Sequence, residues 1–287
     1  MLGTIVEITL SEKDLNDYFD NLKSEMKNLG ERMVGDINRL NSMKKGDRGK
    51  FDKYFLDLIS SGGYFSKISG GRFDITIYTL MKLYGFPEGP YRVPENNEVK
   101  NVAGEISFEN IEIDNDSILK KSDFKIDMGA YGKGWIVDQM VNKMKEYGIK
   151  KGIINAGGDL FCLGDKNGKS WRIGIQDPIE KSRTISVIHL KNKAVATSGD
   201  YERFFDVGGK RYTHIFDAKK LESIDNYRSV SVIADSVEKA DGLSTVYYLM
   251  LVDEIKDMCN RENTPVLLYL LDGTILKLCG WENFEKV

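Results

Sequence analysis

The chain has 287 residues, 41% of them hydrophobic and 30% charged, with a formal net charge of −3. That is long and apolar enough to bury a sizeable core, which excludes a disordered chain, and it carries no basic excess of the kind nucleic-acid binding uses. No apolar run reaches the roughly 18 residues of a membrane span and no charged start with an apolar core marks a signal peptide. Cys162, Cys259 and Cys279 are too widely spaced for a metal knuckle or a disulfide framework, so buried free thiols are expected.

In chain order, Gly3 to Leu10 alternates as a strand should, and Ser11-x-x-Asp14 then caps a helix with Leu15, Tyr18, Phe19, Leu22 and Met26 on one face. A second helix is predicted over about Phe51 to Ile68, and a third over Asp74 to Tyr84, ended by Gly85 and Pro87. Residues 88–104 are polar and turn-rich, a surface excursion. Short strands follow at Ile106 to Ile113, Ser117 to Ile126, Gly152 to Asn155, Asp159 to Leu163, Trp171 to Gln176, Thr184 to Leu190 and Ala194 to Thr197. Ser229 to Ala234 leads into a helix over Val237 to Met250, and Leu267 to Leu278 folds back around Asp272-Gly273. Long helices early and strands late, without βαβ alternation, predict an α+β fold and not a doubly wound sheet.

The stretch from Lys125 to Gly164 concentrates the chemistry. Ile126-Asp127-Met128 ends a strand, and Gly129, Gly132 and Gly134 open a helix carrying Ile136, Met140, Met144 and Tyr147 at helical spacing. A helix start with glycines can receive a phosphate, through free N–H groups, the dipole and close backbone approach. Gly-x-x-Gly-Lys-Gly is neither a Walker loop nor a dinucleotide fingerprint, and glycines that pack a helix on a sheet are the plain alternative. Asp127, beside this loop, calls for a partner, since a buried unpaired carboxylate is costly. Asp241 and Thr245 are four apart on a predicted helix, which puts a carboxylate and a hydroxyl on one face: half of a hard-cation site, or else an exposed helix face. Of the two histidines, His189 lies in an alternating strand and reads as structural. His214 precedes Asp217 and can act as a proton acceptor oriented by a carboxylate. Asn155, Gly157, Gly158 and Asp159 form either a ligand-approaching turn or a hairpin turn. Ser198 has no nucleophile elbow, so the segment from Thr197 to Asp200 is expected to line a cleft.

Seven short blocks occur in order: Leu2-Gly3-Thr4, Gly71-Arg72-Phe73-Asp74-Ile75-Thr76, Asp127 to Asp138, Asn155 to Asp159, Thr197-Ser198-Gly199-Asp200-Tyr201, His214-Ile215-Phe216-Asp217 and Ala240-Asp241-Gly242-Leu243-Ser244-Thr245. Together they resemble the ApbE family of FAD:protein FMN transferases. The resemblance implies helices packed against mixed or antiparallel sheets, in one large domain over 1–287 with an FAD cleft. It implies FAD contacts at Leu2, Arg72, Phe73, Asp74, Asp127, Lys133 and Ile215, with Phe73 stacking on the flavin or else simply core, and Lys133 meeting cofactor or phosphate or else solvated. It also implies a Mg²⁺ ion held by Asp241, Thr245 and the backbone carbonyl of Ala130, with Ser244 where some members have an acid. His214 and Asp217 take the catalytic positions, with His214 either catalytic or a positioner of the acceptor. The chain departs from the family after Asp217, where Asp-Pro-x-Thr-Gly becomes Asp217-Ala218-Lys219-Lys220-Leu221.

The implied reaction cleaves FAD, passes FMN to a threonine or serine of a partner flavoprotein, with a membrane electron-transport subunit among the candidate acceptors, and releases AMP. An FAD pyrophosphatase and a flavin carrier without turnover are the alternatives. The resemblance further implies an exported, membrane-anchored lipoprotein whose leader is absent from this chain, with a cytoplasmic protein as the other case.

Overall fold

The computed structural model describes residues 5–10 and 16–286. Leu2, the rest of the first block and the Ser11…Asp14 cap lie outside them. The chain divides into two units, one made of Met1–Glu31, Ala130–Gly199 and Asn226–Val287, the other of Arg32–Gly129 and Asp200–Asp225. The helix Asn16–Ser42 runs across that division. Among the described residues no helix is long and apolar enough to cross a membrane.

The first unit is built on a seven-stranded sheet in the order Val6–Leu10, Gly152–Ala156, Asp159–Leu163, Lys193–Gly199, Tyr227–Ala234, Val266–Leu270 and Ile275–Leu278. Every neighbouring pair is antiparallel, and spatial order is chain order. This is the α+β architecture that the strand-rich second half predicts. Two helices, Gly132–Glu146 and Val237–Tyr248, pack on this sheet and on each other. A hairpin of Trp171–Gln176 and Thr184–Leu190 joins Trp281 and the sheet residues Leu160, Cys162, Val195, Ile233 and Leu267 in a separate buried cluster. Central strands covered in this way read as continuous apolar runs, as in Val266-Leu267-Leu268-Tyr269, with no polar alternation.

A tight turn decides where one acid arrives. Gly157 and Gly158, both at positive φ (68° and 103°), close the hairpin from Gly152–Ala156 to Asp159–Leu163. A two-residue turn with both φ angles positive matches the right-handed twist of its strands, and glycine takes it without strain. The hairpin alternative for this segment is therefore the one realised, and it leaves Asp159 at the start of a central strand.

The second unit is more helical. It holds Lys53–Ile68, Tyr78–Leu83 and Asn96–Val102, a three-stranded antiparallel sheet in the order Arg48–Lys50, Ser117–Lys120, Ile111–Asp114, and two small hairpins, Phe204–Val207 with Lys210–Thr213 and Phe216–Asp217 with Glu222–Ser223. Its aromatic core joins Tyr84, Phe86 and Phe216, and Phe205 stacks between Tyr91 and Tyr212. Several expected boundaries shift for local reasons. The third helix starts at Tyr78, not Asp74, because the Asp74 carboxylate binds the Thr76 N–H and hydroxyl in a turn instead. Residues 88–104 contain a helix, started by a Glu95/Glu98 capping box. The strand expected from Ile106 is interrupted by short 3-10 turns and forms only at Ile111.

The cysteines depart from expectation. Cys259, on the helix Val252–Glu262, and Cys279, just after the last strand, form a disulfide with Cα atoms 6.1 Å apart. Their separation of 20 residues hides the contact, because the hairpin between Val266 and Leu278 carries the chain back to the helix. Cys162 is a buried free thiol as expected, its pKa pushed up to about 12 by burial. Replacing Cys279 with Ser is expected to lower stability by about 3 kcal/mol through the loop that the bond no longer closes. The check is a urea titration with and without reductant: a parent chain whose midpoint ignores reductant would show the two cysteines unlinked.

Candidate functional site

In the first unit the two sheet-covering helices cap each other. The Asp241 carboxylate, on Val237–Tyr248, accepts the Gly134 N–H at the start of Gly132–Glu146 (3.0 Å). Asp138, on Gly132–Glu146, accepts the Val237 and Glu238 N–H groups at the start of the other helix (2.9 Å each). Each carboxylate thus satisfies donors that a helix start leaves without intrahelical partners, and each sits at the positive end of a helix dipole. The exchange needs close approach. A Cβ on Gly134 would lie 2.6 Å from the Val237 carbonyl oxygen, so this glycine packs helix against helix, and its amide is held by a protein carboxylate.

Around Asp241 the structure gathers most of the residues assigned to the metal. Asp241 is 4% exposed. Its carbonyl accepts the Ser244 hydroxyl (2.8 Å), and Ser198 on the adjoining strand Lys193–Gly199 lies 2.7 Å from the Ser244 hydroxyl and 3.0 Å from that of Thr245. Lys133, in the first helical turn, pairs with Asp159 and stands 3.7 Å from Asp241 Oδ1. Asp159 is 2% exposed and also accepts the Thr197 N–H at 3.3 Å. Ala130 lies in the turn just ahead of this helix. Lys133 is therefore not a solvated surface lysine. Asp159 as its partner was hidden in a turn motif, and the Ser198 contact in a stretch that reads only as small and polar.

Among the described residues no group of three or more His, Cys, Asp and Glu is gathered to hold a metal ion. The set at Asp241 is of another kind: one carboxylate, several hydroxyl oxygens, and a second carboxylate reached through lysine. Oxygen donors with few carboxylates are what Mg²⁺ takes when it keeps waters and binds substrate phosphate. The residues present fit that ion.

In the second unit three motif blocks meet. The Asp127 N–H donates to the Ile75 carbonyl (2.8 Å), and the Ala218 N–H donates to the Arg72 carbonyl (2.8 Å). Phe73 is buried edge-on against Phe65, with ring centroids 5.5 Å apart, which is the core placement. The Asp74 carboxylate, besides Thr76, accepts the Phe108 N–H at 2.7 Å and the Ser66 hydroxyl at 3.4 Å, so it fixes its own loop. Asp127 accepts the Gly129 N–H at 2.7 Å; burial pushes its pKa up, against the pull of that bond and of the Arg203 charge.

The imidazole of His214 is oriented by a backbone group. Its Nδ1 lies 3.2 Å from the Arg203 carbonyl oxygen, which also accepts the His214 N–H at 3.1 Å. A carbonyl only accepts, so Nδ1 carries the proton and Nε2 keeps a lone pair in the neutral ring. Asp217 was expected to orient this ring. Instead it is buried, and its Oδ1 accepts the Lys219 and Lys220 N–H groups (2.9 and 3.0 Å). That turn explains how the departure after Asp217 is accommodated: Leu221 takes the left-handed conformation (φ 59°) at the position of the family pattern's glycine. Ile215 is buried with its N–H on the Thr213 hydroxyl. No sequence signal pointed to Arg203.

The family model described as the ApbE family matches residues 2–268. The chain belongs to the ApbE family. It is 30% identical over 241 residues to a FAD:protein FMN transferase of Buchnera aphidicola subsp. Schizaphis graminum, covering 81% of this chain and 71% of that protein. It is 27% identical over 231 residues to one of Escherichia coli K12, covering 77% and 66%. Among solved structures it resembles the ApbE protein of Thermotoga maritima, with a TM-score of 0.91 at 29% identity over 100% of this chain and 97% of that one. It also resembles the flavin transferase ApbE of Vibrio cholerae, with a TM-score of 0.84 at 25% identity over 98% and 96%.

The cap at Asp138 has a pH signature. Burial raises its carboxyl to about 6 from 3.8, the two amide bonds opposing the shift. The folded state then holds this proton more tightly than the unfolded one. Its contribution is full below about pH 4 and falls by about 3 kcal/mol as pH rises to about 6. Asp138→Asn keeps an acceptor for one of the two N–H groups and removes the titration, so it is expected to be less stable at every pH but to vary less over that window. Parallel curves for the two proteins in urea titrations across pH 4–6 would refute the assignment.

Proposed function

We propose that this chain is a Mg²⁺-dependent FAD:protein FMN transferase, which attaches FMN to a threonine or serine hydroxyl of a partner flavoprotein and releases AMP. It is a transferase by its family, and FAD as donor substrate follows from the names of its relatives. The observation that carries the finer reading is the cluster at Asp241: a buried carboxylate on a helix start, flanked by Ser198, Ser244, Thr245 and Lys133.

The chemistry is a phosphoryl transfer. The acceptor hydroxyl oxygen forms a bond to the FMN phosphorus, the bond from that phosphorus to the bridging oxygen breaks, and AMP leaves with that oxygen. When bound, Mg²⁺ would neutralise diphosphate charge, with Asp241 and Thr245, the Ala130 carbonyl and Ser244 as its protein oxygens. Lys133 adds a mobile positive charge for the same phosphates. Nε2 of His214 takes the proton of the acceptor hydroxyl, while the Arg203 carbonyl holds Nδ1–H and so fixes the tautomer. Asp217 supports this role by shaping the turn after the histidine. Leu2, Arg72, Phe73, Asp74, Asp127 and Ile215 form the proposed flavin-side set, with Phe73 and Asp74 acting through the shape of their loop.

An extracytoplasmic location is proposed with this function. The Cys259–Cys279 disulfide supports it, since such bonds persist in oxidising compartments; a lipoprotein anchor and a membrane electron-transport subunit as acceptor rest on the resemblance alone.

Incubating FAD with the protein, with and without Mg²⁺ and acceptor, separates transfer (flavin bound to protein) from hydrolysis (free FMN and AMP) and from storage (intact FAD). Asp241→Ala is expected to abolish Mg²⁺-dependent turnover, and a variant with the parent's Mg²⁺ dependence would remove the metal assignment. His214→Ala is expected to slow the chemical step by roughly 10²–10⁴-fold with FAD affinity little changed, as for loss of a general base. Lost FAD binding, or transfer at the parent rate, would make His214 a structural or cofactor-holding residue.

A further inference from the structure

Two carboxylates in the first unit share one lysine, and this bears on how a metal could enter. Asp159 and Asp241 are 2% and 4% exposed. Lys133 pairs with Asp159 Oδ2 and stands 3.7 Å from Asp241 Oδ1. Asp241 Oδ2 holds the Gly134 N–H, so the oxygen that Lys133 approaches is the other one. A divalent cation on Oδ1 would meet the ammonium at close range, and like charges a few ångströms apart oppose each other strongly where water is scarce.

The two acids are held differently from the lysine. Asp159 begins a central strand directly after the Gly157-Gly158 turn, and its Oδ1 takes the Thr197 N–H across the sheet. Asp241 is fixed by the helix start. Lys133 sits between them on a flexible four-carbon stem, its side chain 22% exposed, and so is the member able to move. Without a cation the two acids would be costly to bury, which gives the ammonium its role in the metal-free protein.

We propose that Lys133 is an internal counter-ion that neutralises Asp241 while no metal is bound and withdraws onto Asp159 when Mg²⁺ arrives. Asp159 is then a positioning residue that sets metal affinity through the lysine, without touching the metal. This rests on the metal reading of Asp241 given above.

The test is calorimetric titration of MgCl₂ into the FAD-free full chain, with folding of each variant checked by circular dichroism. Lys133→Gln is expected to bind Mg²⁺ at least about tenfold more tightly, the scale on which one close charge acts on a carboxylate. Asp159→Asn, which frees the lysine to stay on Asp241, is expected to bind about tenfold more weakly on the same scale. The double variant is expected to match Lys133→Gln within about twofold, because Asp159 has no route to the metal once the lysine is gone. Equal or weaker binding by Lys133→Gln overturns the proposal, as does an Asp159→Asn effect that is equally large with and without the lysine, the mark of a direct field. Lys133→Met is carried in parallel, and if neither lysine variant folds, unaltered affinity in Asp159→Asn still overturns it. Asp241→Ala separates the two levels. If it binds Mg²⁺ like the parent chain, the metal reading falls and this proposal with it; if it loses Mg²⁺ while Lys133→Gln gains nothing, only the counter-ion role falls.

Discussion

The mutual capping of Gly132–Glu146 and Val237–Tyr248 is the constraint on which the rest of the first unit depends. Helix starts carry amide groups that must find acceptors, and each of these helices takes its acceptor from the other. The exchange fixes their relative position and requires a glycine at 134, where a side chain would strike the Val237 carbonyl. Once the helices are locked, Lys133 in the first turn of one is carried to Asp241 in the second turn of the other. The sheet beneath then supplies Asp159 and Ser198 from neighbouring strands. Structure and candidate chemistry thus share the same carboxylate.

That sharing has a physical consequence. A carboxylate held by a backbone amide is preorganised, which suits the metal-ligand role proposed for Asp241. The second unit uses the same economy of parts around His214. A main-chain carbonyl fixes the ring, which leaves Asp217 to shape the turn that follows. A carbonyl carries no ionisable proton, so it specifies the tautomer without adding a charge beside the ring.

The legible part of the site was its residue types and their order. Asp241 with Thr245, the Gly-x-x-Gly-Lys-Gly helix start and His214 all stood out because their chemistry is carried in short, local spacings. What could not be read was which of them touch. The Lys133–Asp159 pair spans 26 residues and the Gly134–Asp241 bond 107, and no local pattern encodes either. Asp74 and Phe73 stand in a motif, which records only that a position is constrained. The structure shows one constraint on each, a turn and an aromatic contact within the core. Arg203 meets His214 through its carbonyl, which any residue would supply, so that contact leaves no signal in the sequence.

By itself the sequence determined the α+β class, the main helices and central strands, and the set of groups available for phosphate and proton chemistry, since periodicity, turn residues and side-chain type are local properties. Only the tertiary structure decided the partners. It closed the Cys259–Cys279 bond by folding a hairpin back on a helix, turned two helix starts into each other's ligands, and gave the His214 ring to a backbone carbonyl. Each of these is a contact between segments far apart in the chain, set by how strands and helices pack and not by what stands next to what along the sequence.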